Sequence, residues 1–199
     1  MWTKQAMPRN PAATRARIYA AAYALFYRKG FQRTSIDEIA ARAGVTKRTL
    51  YYHVRSKDDL AGAMLEHQHG FVLSEMARWI GGETNARKLV DRLFESIARW
   101  AAPAAKGRWT GPGFTRIAME LADLPGHPAR VATRRHKSAV EAELARKLAA
   151  CGVKNARDAA AQLQMLLEGC VTLILIHGDV RYAQIAAAAA RQLVPRISS

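Results

Sequence analysis

Apolar residues recur along this chain at intervals of three and four, and no stretch alternates with the period of two that a half-buried strand requires. Ile18, Ala22, Leu25 and Phe26 form the first helical stripe. Pro11 opens that helix, because proline tolerates a first turn, and Gly30 follows Lys29 as its stop, with Phe31 packing back on it. Ile36, Ile39, Ala40 and Ala43 make a second, short stripe, and Leu50 and Val54 a third. A long fourth helix is predicted over about 57–79, with Leu60, Met64, His67, Phe71 and Trp79 on or near one stripe. Further helices are predicted over about 85–102, 114–124, 129–150, 155–177 and 180–194. Leu89, Leu93, Ile97 and Trp100 face inward on the first of these, and Val140, Leu144, Leu148 and Cys151 on the third. Gly81-Gly82, the loop 103–113, Pro125-Gly126-His127-Pro128, Gly152 and Gly178-Asp179 separate them, and Pro195 ends the last. The expected fold is all-α, with about nine helices in two parts: 1–56 as a small head and 57–199 as a body.

The head is punctuated by hydroxyl caps. Thr34 is expected to cap the second helix, with Asp37 three residues on as a capping-box variant. Gly44 supplies a positive φ, Val45 plugs the turn, Thr46 caps the third helix, and Ser56 caps the fourth. Two helices of fewer than about ten residues joined by a tight turn describe a helix-turn-helix. Stepping about 100° per residue from Leu50 places Val54 about 40° away, toward the core. Arg48 and Tyr52 fall near 160° and 200° and point outward, roughly, while Thr49 and Tyr51 flank them at about 100° to either side. Lys47 and His53 lie at the edges of that face.

Charge sharpens this picture. Residues 1–60 hold 12 Lys and Arg against 4 Asp and Glu, a net of +8, whereas the remaining 139 residues carry +7. The head is the more basic part per residue, as a surface that meets a polyanion would be. Arg48 has the geometry to bond guanine O6 and N7, and the Thr49 methyl to meet a thymine methyl. The hydroxyls of Tyr51 and Tyr52, His53, Arg33, Lys47, Lys57 and the helix starts after Thr34, Thr46 and Ser56 are candidates for phosphate. Arg9, Arg15 and Arg17, at a basic N-terminal arm and the first helix, are weaker ones. The expected partner is a double-stranded DNA operator.

Other chemistries find little support. Cys151 and Cys170 form no disulfide framework and are expected as buried free thiols. His67 and His69 are two apart and do not share a helix face, so no metal site is assigned. There is no HExxH, no glycine-rich phosphate loop and no nucleophile constellation, so neither catalytic residues nor a cofactor are assigned. The N-terminus carries no apolar leader core, and the run 163–176, broken by Glu168-Gly169, is counted too short for a membrane span. A cytoplasmic protein without a membrane partner is expected. Arg134, Arg135, His136 and Lys137 are expected on a solvated face.

The string from Gly30, GF-x-x-TSIDEIAARAGVTKRTLYYHVRSKDDL, resembles the DNA-binding head of the tetracycline-repressor (TetR) family. The AGV turn, the T-L-Y of the third helix, His53 and the S-K-D-D-L start of the fourth carry the resemblance, over about 45 residues including the first helix. Two positions depart from it: Arg48 stands where relatives often have a small residue, and Val54 where phenylalanine is common. The resemblance implies a ligand-responsive regulator, usually a repressor, that binds a pseudo-palindromic operator as a homodimer. It implies a dimer through helices eight and nine, for which Leu166, Cys170, Leu173, Ile174, Ala187 and Ala190 are the candidates. Helix eight is apolar nearly all round and helix nine is alanine-rich, which fits a covered interface. It also implies an apolar or aromatic small-molecule effector. Candidate lining residues are His67, Phe71, Phe94, Trp100, Trp109, Phe114, Met119, Met165 and Gly169. The competing functions are an architectural protein that binds DNA without reading sequence and, more remotely, a helical enzyme.

Overall fold

The computed structural model describes residues 10–194. The expected N-terminal arm over residues 1–9, with Arg9, and the Pro195 stop lie outside them. Among the described residues the regular elements are all helical. They are α1 (Pro11–Lys29), α2 (Ile36–Ala43), α3 (Lys47–His53), α4 (Lys57–Ile80), α5 (Ala86–Ala101), α6 (Gly113–Glu120), α7 (Pro128–Ala150), α8 (Ala156–His177) and α9 (Arg181–Ala190), with a 3-10 turn over Ala102–Lys106 after α5.

Two compact units emerge. Among the described residues, one comprises 10–68 and 113–133, the other 69–112 and 134–194. A head closing at residue 56 is therefore too small: α4 as far as Gln68, all of α6 and the start of α7 pack with it.

In the first unit, Ile18, Phe26, Ile39, Leu50 and Leu60 are fully buried, so each short helix contributes to one core. The end of α1 is closed by side chains. Gly30 has φ +91° and its N–H bonds Phe26 O at 2.9 Å. Arg116 Nη1 donates to Tyr27 O at 2.7 Å, Arg33 Nε to Lys29 O at 2.9 Å, and the Thr34 hydroxyl to Gly30 O at 2.7 Å. Lys57 Nζ donates to Phe31 O at 3.2 Å and Thr34 O at 3.3 Å, and sits 4.3 Å over the Phe31 ring. A helix leaves its last carbonyls without intrahelical partners, and here the donors to them come from the following loop and from α6, while α4 ties down the loop itself.

Thr34 is thus not the cap of α2. Its side chain is buried and points back to α1. Ser35 is the N-cap, and Glu38, not Asp37, completes the capping box, accepting from Ser35 N at 2.9 Å. Two adjacent hydroxyls compete for one role, and burial of the first decides it. Thr34→Val is expected to cost about 1–3 kcal/mol, because Gly30 O loses its buried donor. Ser35→Ala is expected to cost about 1 kcal/mol. Urea unfolding of the two variants measures both, and a neutral Thr34→Val would remove this account of the α1 end.

In the second unit, Leu89, Leu93 and Phe94 of α5 pack with Leu163, Val171 and Ile174 of α8 and Ala183, Ala187 and Ala190 of α9. Alanine-rich α9 allows a close approach to both partners. Two predicted spans shorten. α6 ends at Glu120, and i→i+3 turns carry the chain to Leu124, the residue before Pro125. α9 ends at Ala190, where the backbone tightens to i→i+3 bonds through Leu193.

α8 keeps its expected span to within one residue, but its apolar stretch is longer than the run 163–176. It runs 22 residues at a mean hydropathy of 1.7, long and apolar enough by composition to cross a membrane, though a third of that window is buried. The apolar stretch begins before Leu163, in the alanine-rich first turns, and Glu168 within it is paired with Lys137. The run 134–137 is accordingly not one solvated face, for His136 is buried. Cys170 is a buried free thiol, but Cys151 is only half-buried, its Sγ 3.4 Å from Glu83 O.

Candidate nucleic-acid interface

The turn between α2 and α3 is fixed locally. Gly44, at φ +64°, donates to Ala41 O at 3.1 Å, and Val45 N to Ala40 O at 3.0 Å, the paired bonds of a Schellman ending. Thr46 then caps α3, its hydroxyl accepting from Thr49 N at 3.1 Å and sharing a 2.8 Å bond with the Thr49 hydroxyl. Leu50 is fully buried, and Val54, although already extended at φ −145°, remains buried as well. Those two anchors determine which side of α3 is left outside.

That side holds the expected group. Arg48 and Lys47 are exposed, and Tyr52 is 83% exposed, its ring edge-on to His53 at 5.4 Å. Tyr51 is 46% exposed, on the flank, while Thr49 is half-buried and already engaged with Thr46. Lys47 Nζ lies 3.1 Å from Asp37 Oδ2, an exposed and therefore weak pair.

Two expected phosphate contacts change role. Lys57 commits its ammonium to the Phe31 and Thr34 carbonyls and to the Phe31 ring, which leaves it half-buried. Thr34 is inside. Arg33 spends Nε on Lys29 O but stays exposed. Conversely, Arg17 gains standing: its guanidinium reaches the turn, with Nη1 3.8 Å from where a Cβ on Gly44 would be. It lines a shallow crevice of about 250 Å³ with Thr14, Ala41, Gly44, Val45, Thr46 and Thr49. Lys29 hydrogen-bonds Glu38 and, with the Ser35 amide, holds that carboxyl down to about 2.

The expected effector residues are dispersed. His67, Phe114 and Met119 belong to the first unit, and Phe71, Phe94, Trp100, Trp109, Met165 and Gly169 to the second. His67 and Phe71 are exposed rather than set in an apolar stripe, although the His67 ring lies 5.4 Å from that of Tyr19. Met119, Met165 and Gly169 are also exposed. Phe94, Trp109 and Phe114 are buried, and Trp100 half-buried. Within the second unit, Trp79, Trp100 and Trp109 form an array with centroid distances of 6.2 and 4.9 Å. Beside it, the buried Trp109 Nε1 and Thr110 Oγ1 have no hydrogen-bond partner among the described residues.

The expected dimer residues also divide. Cys170, Ile174, Ala187 and Ala190 are buried in the chain's own core and cannot form a face for a partner. Leu166 is half-buried and Leu173 exposed. The outer sides of α8 and α9 instead carry Met165 (74% exposed), Ile176 (66%) and Ile185 (62%).

One pairing had no signal in the sequence. His69 and His136, 67 residues apart, bring Nδ1 to Nδ1 at 3.2 Å. Burial, then Lys137 and His69, push His136 down to about 4. Among the described residues, no group of three or more His, Cys, Asp or Glu is placed to hold a metal.

Residues 18–64 match the profile of the family described as bacterial regulatory proteins, tetR family. The chain is 43% identical over 89 residues to the HTH-type transcriptional regulator TtgR of Pseudomonas putida, a stretch covering 42% of each protein. It is 39% identical over 101 residues to the HTH-type transcriptional repressor Rv3405c of Mycobacterium tuberculosis, covering 51% of each. The matched stretch thus spans about half or less of these curated relatives. By structure, it is similar to SCO4454, a TetR-family transcriptional regulator from Streptomyces coelicolor, with a TM-score of 0.77, 26% identity and coverage of 92% and 94%. Reduced NemR of E. coli shares the fold at a TM-score of 0.78 and 21% identity, over 94% of this chain and 100% of that one. With its head profile, its curated relatives and its fold in agreement, the chain belongs to the TetR family.

Proposed function

We propose that the chain is a sequence-reading transcriptional repressor that binds a pseudo-palindromic DNA operator as a homodimer and is released by a small effector. The observation that carries this reading is the outward side of α3, where Arg48 and Tyr52 stand exposed on a helix held by the buried Leu50 and Val54. Tyrosine at that exposure gains nothing for the fold, whereas an amphipathic ring and a guanidinium suit a groove edge and its phosphates. Lys47, Thr49, Tyr51, His53 and the exposed Arg17 complete the proposed surface.

A second copy supports the reading by accounting for α8 and α9. Met165, Gly169, Leu173 and Ile176 fall within about 80° of arc on α8, and among the described residues nothing beyond the neighbouring backbone of α8 lies within 4 Å of a Cβ built on Gly169. An apolar face of that kind, with a glycine that permits close approach, suits a self-complementary two-fold interface better than water. It also gives α8 a partner that is not a bilayer, in keeping with a cytoplasmic protein. For the effector, the tryptophan array favours a flat apolar molecule, and Trp109 Nε1 a molecule with one hydrogen-bond acceptor.

The test is protection of DNA upstream of the coding sequence. Protection of an inverted repeat, two half-sites about one helical turn or a multiple apart, is the expected result. Equal binding to repeat and scrambled duplexes at moderate salt would replace this reading with the architectural one.

A further inference from the structure

The polar side of α6 lies along the end of α1. Gly113, Arg116 and Glu120 are three and four residues apart and so share a face. A Cβ on Gly113 would lie 3.3 Å from Tyr27 Cδ2 and 3.7 Å from Tyr23 Cε2, two rings that stack at 5.6 Å. Arg116 holds the Tyr27 carbonyl, and its Nε lies 3.7 Å from Glu120 Oε1. Glu120 Oε2 accepts from Gln32 N–H at 3.1 Å. A Cβ on Gly30 would lie 2.7 Å from Glu120 Oε1 and 2.9 Å from Oε2. The carboxylate therefore occupies space that only glycine leaves, and it touches the α1–α2 loop at both Gly30 and Gln32.

Everything in the reading head hangs from that loop. Thr34 bonds back to Gly30, Ser35 caps α2, and Lys57 ties Phe31 to the start of α4. A displacement of Gly30–Gln32 moves the cap of α2, and α3 follows through the Gly44 turn. We propose that Glu120 is a positioning residue for the DNA-reading head, setting the angle at which α2 and α3 leave α1. This rests on the DNA-binding reading above. Glu120 lies outside the matched head profile, residues 18–64.

The experiment compares the full chain with Glu120→Ala and Glu120→Gln on the inverted-repeat duplex and on a scrambled one, at fixed salt. Hydrogen exchange at the Gln32 amide is followed in parallel. Glu120→Ala is expected to lose about tenfold on the repeat, keep its scrambled affinity and exchange faster at Gln32. Glu120→Gln, whose amide oxygen still accepts from Gln32, is expected to stay within about threefold of wild type. Unchanged repeat affinity in Glu120→Ala overturns the proposal, and so does an equal loss on both duplexes, which marks a merely structural part. If Glu120→Ala does not fold, Glu120→Asp, one methylene shorter, takes its place under the same criteria. If the wild type itself prefers no duplex, the DNA reading fails first. Gln32 protection then decides the loop contact alone: its loss in the variant supports the positioning, its retention overturns it.

Discussion

The double variant Arg48→Ala, Tyr52→Ala is expected to bind the inverted repeat about a hundredfold more weakly than wild type, with an unchanged melting temperature. Both side chains project from α3 into solvent, and the buried Leu50 beside them holds the helix without their help. Truncation therefore removes the proposed contacts to DNA and little else. A bidentate guanidinium on guanine is worth about 1–3 kcal/mol of discrimination, and a factor of ten corresponds to about 1.4 kcal/mol. One such contact and one tyrosine contact together give the expected loss. Arg48→Ala alone should relax preference at one base pair, read by competition with duplexes substituted position by position. A uniform loss across all duplexes would assign Arg48 to phosphate instead. A fall in melting temperature would undo the premise that this face carries no part of the fold.

The second large effect concerns the outer side of α8. Met165→Asp with Ile176→Asp is expected to convert the proposed homodimer to monomer, weakening association about a thousandfold or more. A two-fold axis doubles every substitution, so four carboxylates would be desolvated in one interface, each at a cost of several kcal/mol. Both positions are exposed in the single chain, so the monomer keeps its fold. Ile174→Asp is the control: Ile174 is fully buried among α5, α8 and α9, and that variant should unfold rather than dissociate. Sedimentation equilibrium with circular dichroism separates the two outcomes. A dimer that survives both aspartates would place the interface elsewhere.

The parts of the head that could be read from sequence are those fixed within about five residues. Gly44, the Thr46 cap and the inward Leu50 belong to a local pattern, and they stand where periodicity and turn chemistry put them. The errors arise where a distant element decides between two local options. Thr34 and Ser35 are equivalent as caps until Gly30 O claims one hydroxyl. Lys57 is a plausible phosphate ligand until the Phe31 carbonyl and ring are beside it. On α8 and α9, hydropathy that is high on all sides cannot say which side is the chain's own core. Periodicity places Cys170, Ile174, Ala187 and Ala190 outward no worse than inward, whereas in the structure Met165, Ile176 and Ile185 hold the outer side. The His69–His136 pair and the Glu120 contact join residues 67 and 88 apart, a relation that no periodicity encodes.

The side-chain closure of the α1 end bears on how the head behaves as a polycation. DNA binding at the phosphate backbone is driven by release of condensed counterions, one for nearly every phosphate neutralised. A cation whose charge is already spent inside the protein displaces few of them. Lys57 rests on two carbonyls and a ring, whereas the pairs Lys29–Glu38, Lys47–Asp37 and Arg55–Asp59 are each neutral within the net charge of the head. On the proposed reading, counterion release is carried by Arg48, Arg17 and their exposed neighbours, and Lys57, a cation with no carboxylate partner among its named contacts, adds little to it.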